Sequence, residues 1–117
     1  MRGDERRVVD AFCAWLSEQG WSVERELEFC DVVATRGDER IYAEVKGRTA
    51  AIGLDVDTLF GQLLRRMPFD RDRAARFAVV VPSEGTAAAV RVPKQVREQL
   101  RIDLYAVDAT GTVRSID

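Results

Sequence analysis

Three charged side chains stand where strands normally bury apolar groups: Asp31 in "CDVVAT", and Glu44 and Lys46 in "RIYAEVK". The two stretches flank "RGDE", a turn-forming tetrapeptide, and read as the arms of an antiparallel hairpin. With residues 36–39 as the loop, Thr35 faces Arg40 and Asp31 falls directly opposite Glu44. Directly opposed residues have Cβ atoms about 4.5–5.5 Å apart, and like charges there destabilise the pair. Lys46 lies two residues beyond Glu44 and shares its face, while Val45 points into the opposite layer. Two carboxylates and an ammonium therefore converge where a further cation would offset their repulsion. Mg²⁺ suits such a place, because it takes one or two carboxylates and keeps positions for water and phosphate oxygens. Asp31 and Glu44 are the candidate ligands, with the Val45 carbonyl as a further one. Lys46 would orient an attacking water and stabilise charge developing on a phosphodiester. A solvated strand face pairing Glu44 with Lys46 would show the same Glu-x-Lys spacing. Asp31 at the matching register separates the two readings.

The composition narrows the alternatives. With 0 histidines, the Ser-His-Asp triad, the Cys-His pair and histidine-ligated zinc are all excluded. Cys13 and Cys30 show no metal-site spacing and read as small, reduced, buried hydrophobes. A length of 117 residues, 46% of them hydrophobic, predicts one domain over residues 1–117 with a real core. No apolar run approaches the ~18 residues of a membrane span, and the charged opening lacks a secretory h-region. A cytoplasmic protein without membrane contact is expected. The net charge of −2 is unevenly spread: residues 1–60 carry 8 Lys/Arg against 13 Asp/Glu, and residues 61–101 carry 9 against 4. That asymmetry fits an acidic site beside a phosphate-attracting surface, and equally a set of solvated helix faces.

Periodicity supplies the frame. Val8, Val9, Phe12, Trp15 and Leu16 form an apolar stripe that predicts a helix over 4–19, stopped by Gly20. "WSVERELE" alternates as a strand with one wet face, and the hairpin follows. Val56, Leu59, Phe60, Leu63, Leu64 and Met67 predict a second helix, with Asp55 as N-cap and Pro68 at its end. "FAVVV" does not alternate, as expected of a central strand covered on both faces. "VPKQVREQLRI" predicts a third helix presenting Val92, Val96 and Leu100, and "DLYAVD" and "TVRSI" close the chain as strands. The order is α-β-β-β-α-β-α-β-β, an α/β fold with a mixed β-sheet flanked by α-helices.

In this order of elements, from the first helix to about Val107, the sequence resembles the PD-(D/E)xK nuclease superfamily, the restriction-endonuclease-like fold that includes Holliday-junction resolvases. "CDVVA" stands where the family has its Pro-Asp stretch, with Cys30 in place of the proline, and "EVK" is the (D/E)xK element. The resemblance implies a Mg²⁺- or Mn²⁺-dependent endonuclease acting on DNA, branched or damaged DNA included. Asp31 and Glu44 would then be metal ligands, and Lys46 the catalytic lysine.

Many members carry an acid on the first helix that reaches the metal. Glu5 falls within the stripe of Val8, Phe12 and Leu16 and is the candidate here; the helix dipole alone would equally favour a first-turn acid. Some members place a glutamine on the helix after the lysine strand. "GQLLRRM" offers Gln62 for catalysis, beside Gly61, and an ordinary surface glutamine would look the same.

Arg48, Arg65, Arg66, Arg71 and Arg73 are candidates for contacting the nucleic-acid backbone, or for pairing with nearby acids such as Asp70 and Asp72. Two further readings remain. A catalytically inactive member of the same fold would bind nucleic acid or protein. A structural homodimer would use Leu104, Ala106 and Val113 at a sheet edge.

Overall fold

The computed structural model describes residues 3–27, 30–67 and 75–117. Helix α1 spans Gly3–Glu18 and is followed by strands β1 (Ser22–Leu27), β2 (Cys30–Arg36) and β3 (Glu39–Val45). Helix α2 (Ile52–Arg66) leads to β4 (Ala75–Pro82). A 3₁₀ turn (Ser83–Gly85), the short helix α3 (Thr86–Ala89) and α4 (Lys94–Leu100) then lead to β5 (Ile102–Val107) and β6 (Val113–Ile116). The six strands form one mixed sheet in sequence order. The three central strands, β3, β4 and β5, run parallel, and both flanks pair antiparallel.

Two apolar layers sandwich this sheet. On one face, Val8, Val9, Phe12, Cys13 and Leu16 of α1 pack on Val32, Ala34, Ile41, Ala43, Val45, Ala78 and Val80. On the other, Val56, Leu59, Phe60 and Leu63 of α2 pack on Phe77, Val79, Val81 and Leu104. Strand β4 feeds both layers alternately, which is why its sequence is apolar throughout. Helix α1 ends as its sequence predicts. Gly20 takes a φ of 88° while the Trp21 and Gly20 amides donate to the carbonyls of Leu16 and Ser17, a Schellman cap.

The β2–β3 register is the one expected, with Thr35 opposite Arg40, but the turn is tighter. Arg36 pairs with Glu39, leaving Gly37 and Asp38 as a two-residue turn. Helix α2 begins at Ile52, three residues before the expected cap. Asp55 therefore sits in its first turn, and Ala51 occupies the cap position. Pro68 lies outside the described residues. In α4 the buried residue is Arg97, whose guanidinium donates to the carbonyls of Val92 (3.0 Å) and Asp117 (3.2 Å), while Val96 is exposed.

Leu104 and Ala106 lie on β5, inside the sheet, and their side chains are buried, while the edge strand is β6, whose Val113 is half-buried. Acidic substitution at Leu104 therefore tests the core and not an interface. Among the described residues no helix is long and apolar enough to cross a membrane.

Candidate metal and phosphodiester site

The site forms where the hairpin stops pairing. Regular β2–β3 pairing ends at Val32↔Ala43. One step further on, side chains replace the backbone ladder. The Val45 amide donates to Asp31 Oδ2 at 2.8 Å, and the Asp31 amide donates to Glu44 Oε2 at 3.2 Å. Each acid thus holds an amide of the opposite strand, and the two carboxylates are kept close together. On the other side, Glu26, which the β1–β2 register sets opposite Asp31, has a left-handed φ of 54°, a conformation uncommon for a non-glycine residue.

Because Ala43 and Val45 belong to the α1 layer, Glu44 between them faces α2. Its side chain is 1% exposed, and Arg66 from the last turn of α2 forms an ion pair with Oε1. Burial, then the adjacent Asp31 carboxylate and its hydrogen bond, push Glu44 up to about 7 against the opposing pull of Arg66. Glu5, on the first turn of α1, is also raised above the ordinary carboxyl range, first by burial and then by the charge of Asp31, with Lys46 opposing. A cavity of about 230 Å³ is lined by Glu5, Asp31, Glu44, Val45, Lys46 and Gln62. Asp55, Thr58 and Arg66 of α2 line it as well.

The donor set consists of hard oxygens, and its two carboxylates are held side by side, where a further cation offsets their repulsion. Both features fit a divalent ion of the Mg²⁺ type. Among the described residues no three acidic or cysteine side chains converge as a closed metal cage. Mg²⁺ needs no such cage, since one or two carboxylates with water and substrate oxygens complete its coordination. Asp31 and Glu44 would hold it, within the cavity that Glu5 and Lys46 share.

Proteins of known structure have this arrangement of elements. An XisH family protein from Nostoc punctiforme matches with a TM-score of 0.64 over 95% of this chain and 99% of that one, at 19% identity. A fdxN element excision controlling factor protein from Anabaena variabilis also gives a TM-score of 0.64, over 96% of this chain and 99% of that one, at 16% identity. The chain has the fold of these proteins. No protein-family model matches the sequence, and no curated protein matches it. The shared fold is the mixed sheet flanked by helices, in the order the sequence predicts, with the short α3 added.

In this frame α1 reaches the site through a close backbone approach. Gly47 follows the Glu-Val-Lys segment, and a Cβ built on it would lie 2.2 Å from the Glu5 amide nitrogen and 2.6 Å from the Glu5 Cα. Only glycine lets the first turn of α1 sit there. Asp4 secures the contact by accepting from the Arg48 amide at 2.5 Å and from Arg7 at 2.8 Å. Arg7 also donates to the Asp108 carbonyl at 2.7 Å. Gly47→Ala is expected to displace α1, destabilise the fold by roughly 1–3 kcal/mol, as overpacking does, and withdraw Glu5 from the cavity. Urea denaturation measures the loss of stability; a midpoint equal to that of the unaltered protein would contradict it.

The arginines divide. Arg66 turns inward onto Glu44. Arg48 is exposed beside Lys46, in an adjoining hollow of about 420 Å³, with its guanidinium 3.5 Å from Glu84. Arg65 is exposed on the outer side of α2. Arg71 and Arg73 lie outside the described residues. Arg76 makes a two-pronged pair with Asp103 at 2.8 Å.

Of the polar lining residues, Thr58 escaped the sequence reading altogether, while Asp55 was expected only as a helix cap and Arg66 only as a contact to the nucleic-acid backbone. They recur with Gln62 at near-helical spacing (55, 58, 62, 66), a polar stripe alongside the apolar one.

Proposed function

We propose that residues 1–117 form one metal-dependent nuclease domain of the PD-(D/E)xK type, hydrolysing phosphodiester bonds in DNA. The observation that carries this reading is the gathering of Asp31, Glu44 and Lys46, together with Glu5 and Gln62, around one cavity at the splayed end of the hairpin. The fold likeness to a fdxN element excision controlling factor supports DNA as the nucleic acid.

Bound between Asp31 and Glu44, Mg²⁺ or Mn²⁺ would supply positive charge to the phosphate and acidify a water. The protein's own groups do the rest. Asp31 and Glu44 fix the position of the charge, held by each other's strand amides. Lys46 orients the attacking water and, being cationic, stabilises the negative charge that builds on the phosphate oxygens. Gln62, which lines the same cavity from the facing helix, would hold the same water by hydrogen bonding. Arg48, in the adjoining hollow, would exchange its partner Glu84 for a backbone phosphate, a contact that positions a strand without reading its bases.

Incubation of the purified protein with single-stranded, duplex and branched DNA in Mg²⁺ or Mn²⁺ tests the proposal. Cleavage that stops on chelation is expected. Failure on all three substrates would leave the second reading, a non-catalytic nucleic-acid or protein-binding module. The Arg66–Glu44 ion pair favours that alternative, because it satisfies the buried acid from within the chain.

A further inference from the structure

We propose that Arg66 is an internal counter-cation of this site: it holds Glu44 until a divalent ion displaces it, and the released guanidinium then serves the substrate phosphate. The inference rests on the metal-site reading above and concerns how that site is controlled.

Glu44 is 1% exposed, whereas the Arg66 side chain that meets it is 35% exposed. The arm therefore enters the cavity from solvent and can leave it again without opening the core. It springs from the last residue of α2, after which Met67 takes an extended conformation with ψ 124°, so the helix itself need not unwind for the side chain to swing. Glu44 offers two oxygens. Oε2 accepts the Asp31 amide and Oε1 accepts Arg66, so a metal ion seeking Glu44 must compete with a charge already in place. A dication and a guanidinium on one carboxylate repel each other, and the mobile partner is the arginine.

Displacement changes the role of Arg66. A guanidinium freed beside a metal-bound phosphate is suited to two-pronged contact with phosphate oxygens. Arg65 lies next to it on the same helix end. Without metal, the arginine offsets the charge of Glu44; with metal, the same charge faces the substrate. Binding of metal and of DNA should therefore reinforce each other through this one residue.

Calorimetric titration of Mn²⁺ into the DNA-free protein tests the inference without reference to turnover. Arg66→Gln removes the competing charge and is expected to tighten Mn²⁺ binding about tenfold or more, a factor that corresponds to about 1.4 kcal/mol. Arg66→Lys, which retains a cation, should stay near the unaltered affinity. Arg65→Gln carries the same loss of net charge without touching Glu44 and should also leave the affinity unchanged. Circular dichroism confirms that each variant is folded before titration.

Equal or weaker Mn²⁺ binding by folded Arg66→Gln would overturn the proposal while leaving the metal site standing. Equal tightening by Arg65→Gln would overturn it too, by reducing the effect to overall charge. If neither the unaltered protein nor Arg66→Gln binds Mn²⁺, both this proposal and the metal-site reading fall. Binding by Arg66→Gln alone would support the proposal in its strongest form. In Ca²⁺, which is expected to bind without turnover, the metal-dependent gain in affinity for a DNA duplex should shrink severalfold in Arg66→Gln; an undiminished gain would refute the hand-over to phosphate.

Discussion

Lys46→Ala is expected to abolish metal-dependent DNA cleavage, lowering the single-turnover rate by about 10²–10³ or more, the usual loss when a group aimed at developing charge is removed. The mutated side chain lies at the rim of the cavity, beyond the last residue of β3, and its backbone amide still donates to the Val80 carbonyl at 3.0 Å. The fold should therefore survive, and thermal melting should change little. Asp31→Asn and Glu44→Gln should be as inactive. These isosteres are preferable to alanine, because Asp31 Oδ2 and Glu44 Oε2 accept strand amides that alanine would leave without partners. Retained cleavage in any of the three, with metal in excess, would remove that residue from the mechanism. Retained cleavage in all three would point to a contaminating nuclease or another site.

The metal-free protein should lose stability as pH rises from about 4.5 to about 7. Glu44 has an ordinary value of 4.5 and is held near 7 in the fold, so across that interval the folded chain keeps a proton that the unfolded chain has released. Folding is therefore favoured most below 4.5, and the benefit is lost as pH passes through 7. For a side chain this deeply buried the loss amounts to roughly 2–3 kcal/mol by the linkage between protonation and folding. Urea denaturation in chelator at pH 5 and pH 8 measures it. Glu44→Gln should flatten the pH dependence, and Mg²⁺ at pH 8 should restore stability to the unaltered protein but not to Glu44→Gln. Identical pH profiles for the two proteins in chelator would show that the burden does not sit on Glu44.

The acids and the lysine were legible because strand alternation and antiparallel register are arithmetic. Once Thr35 opposes Arg40, the meeting of Asp31 with Glu44 follows, and a tighter turn at Gly37 and Asp38 leaves that sum unchanged. The apolar run of β4 announced its central place for an equally simple reason. Helix boundaries were less legible. The apolar stripe of α2 starts at Val56, but the helix starts at Ile52, and its extra turn presents the exposed Leu54, which periodicity could not assign.

In α4, apolar spacing favoured Val96 as a core residue, whereas Arg97 is buried, because its long stem lets the guanidinium reach two backbone carbonyls that only the folded chain brings together. Arg66 was obscured by its setting among arginines. Nothing in "LLRRM" says which of the two turns inward; the facing of α2 against the end of β3 decides it.

The exchange of strand amides between the two acids gives the backbone a view of the chemistry. The Val45 and Asp31 amide protons rest on the carboxylates that would meet the metal, not on carbonyl oxygens of a ladder. Their nuclear resonance frequencies and their rates of exchange with deuterium should therefore follow the electrical state of the site. Neighbouring Val32 and Ala43, in the regular pairing, should stay silent. Two nitrogen-bound protons, needing no label on any side chain, would then serve as native gauges of ion occupancy, proton uptake and arginine release.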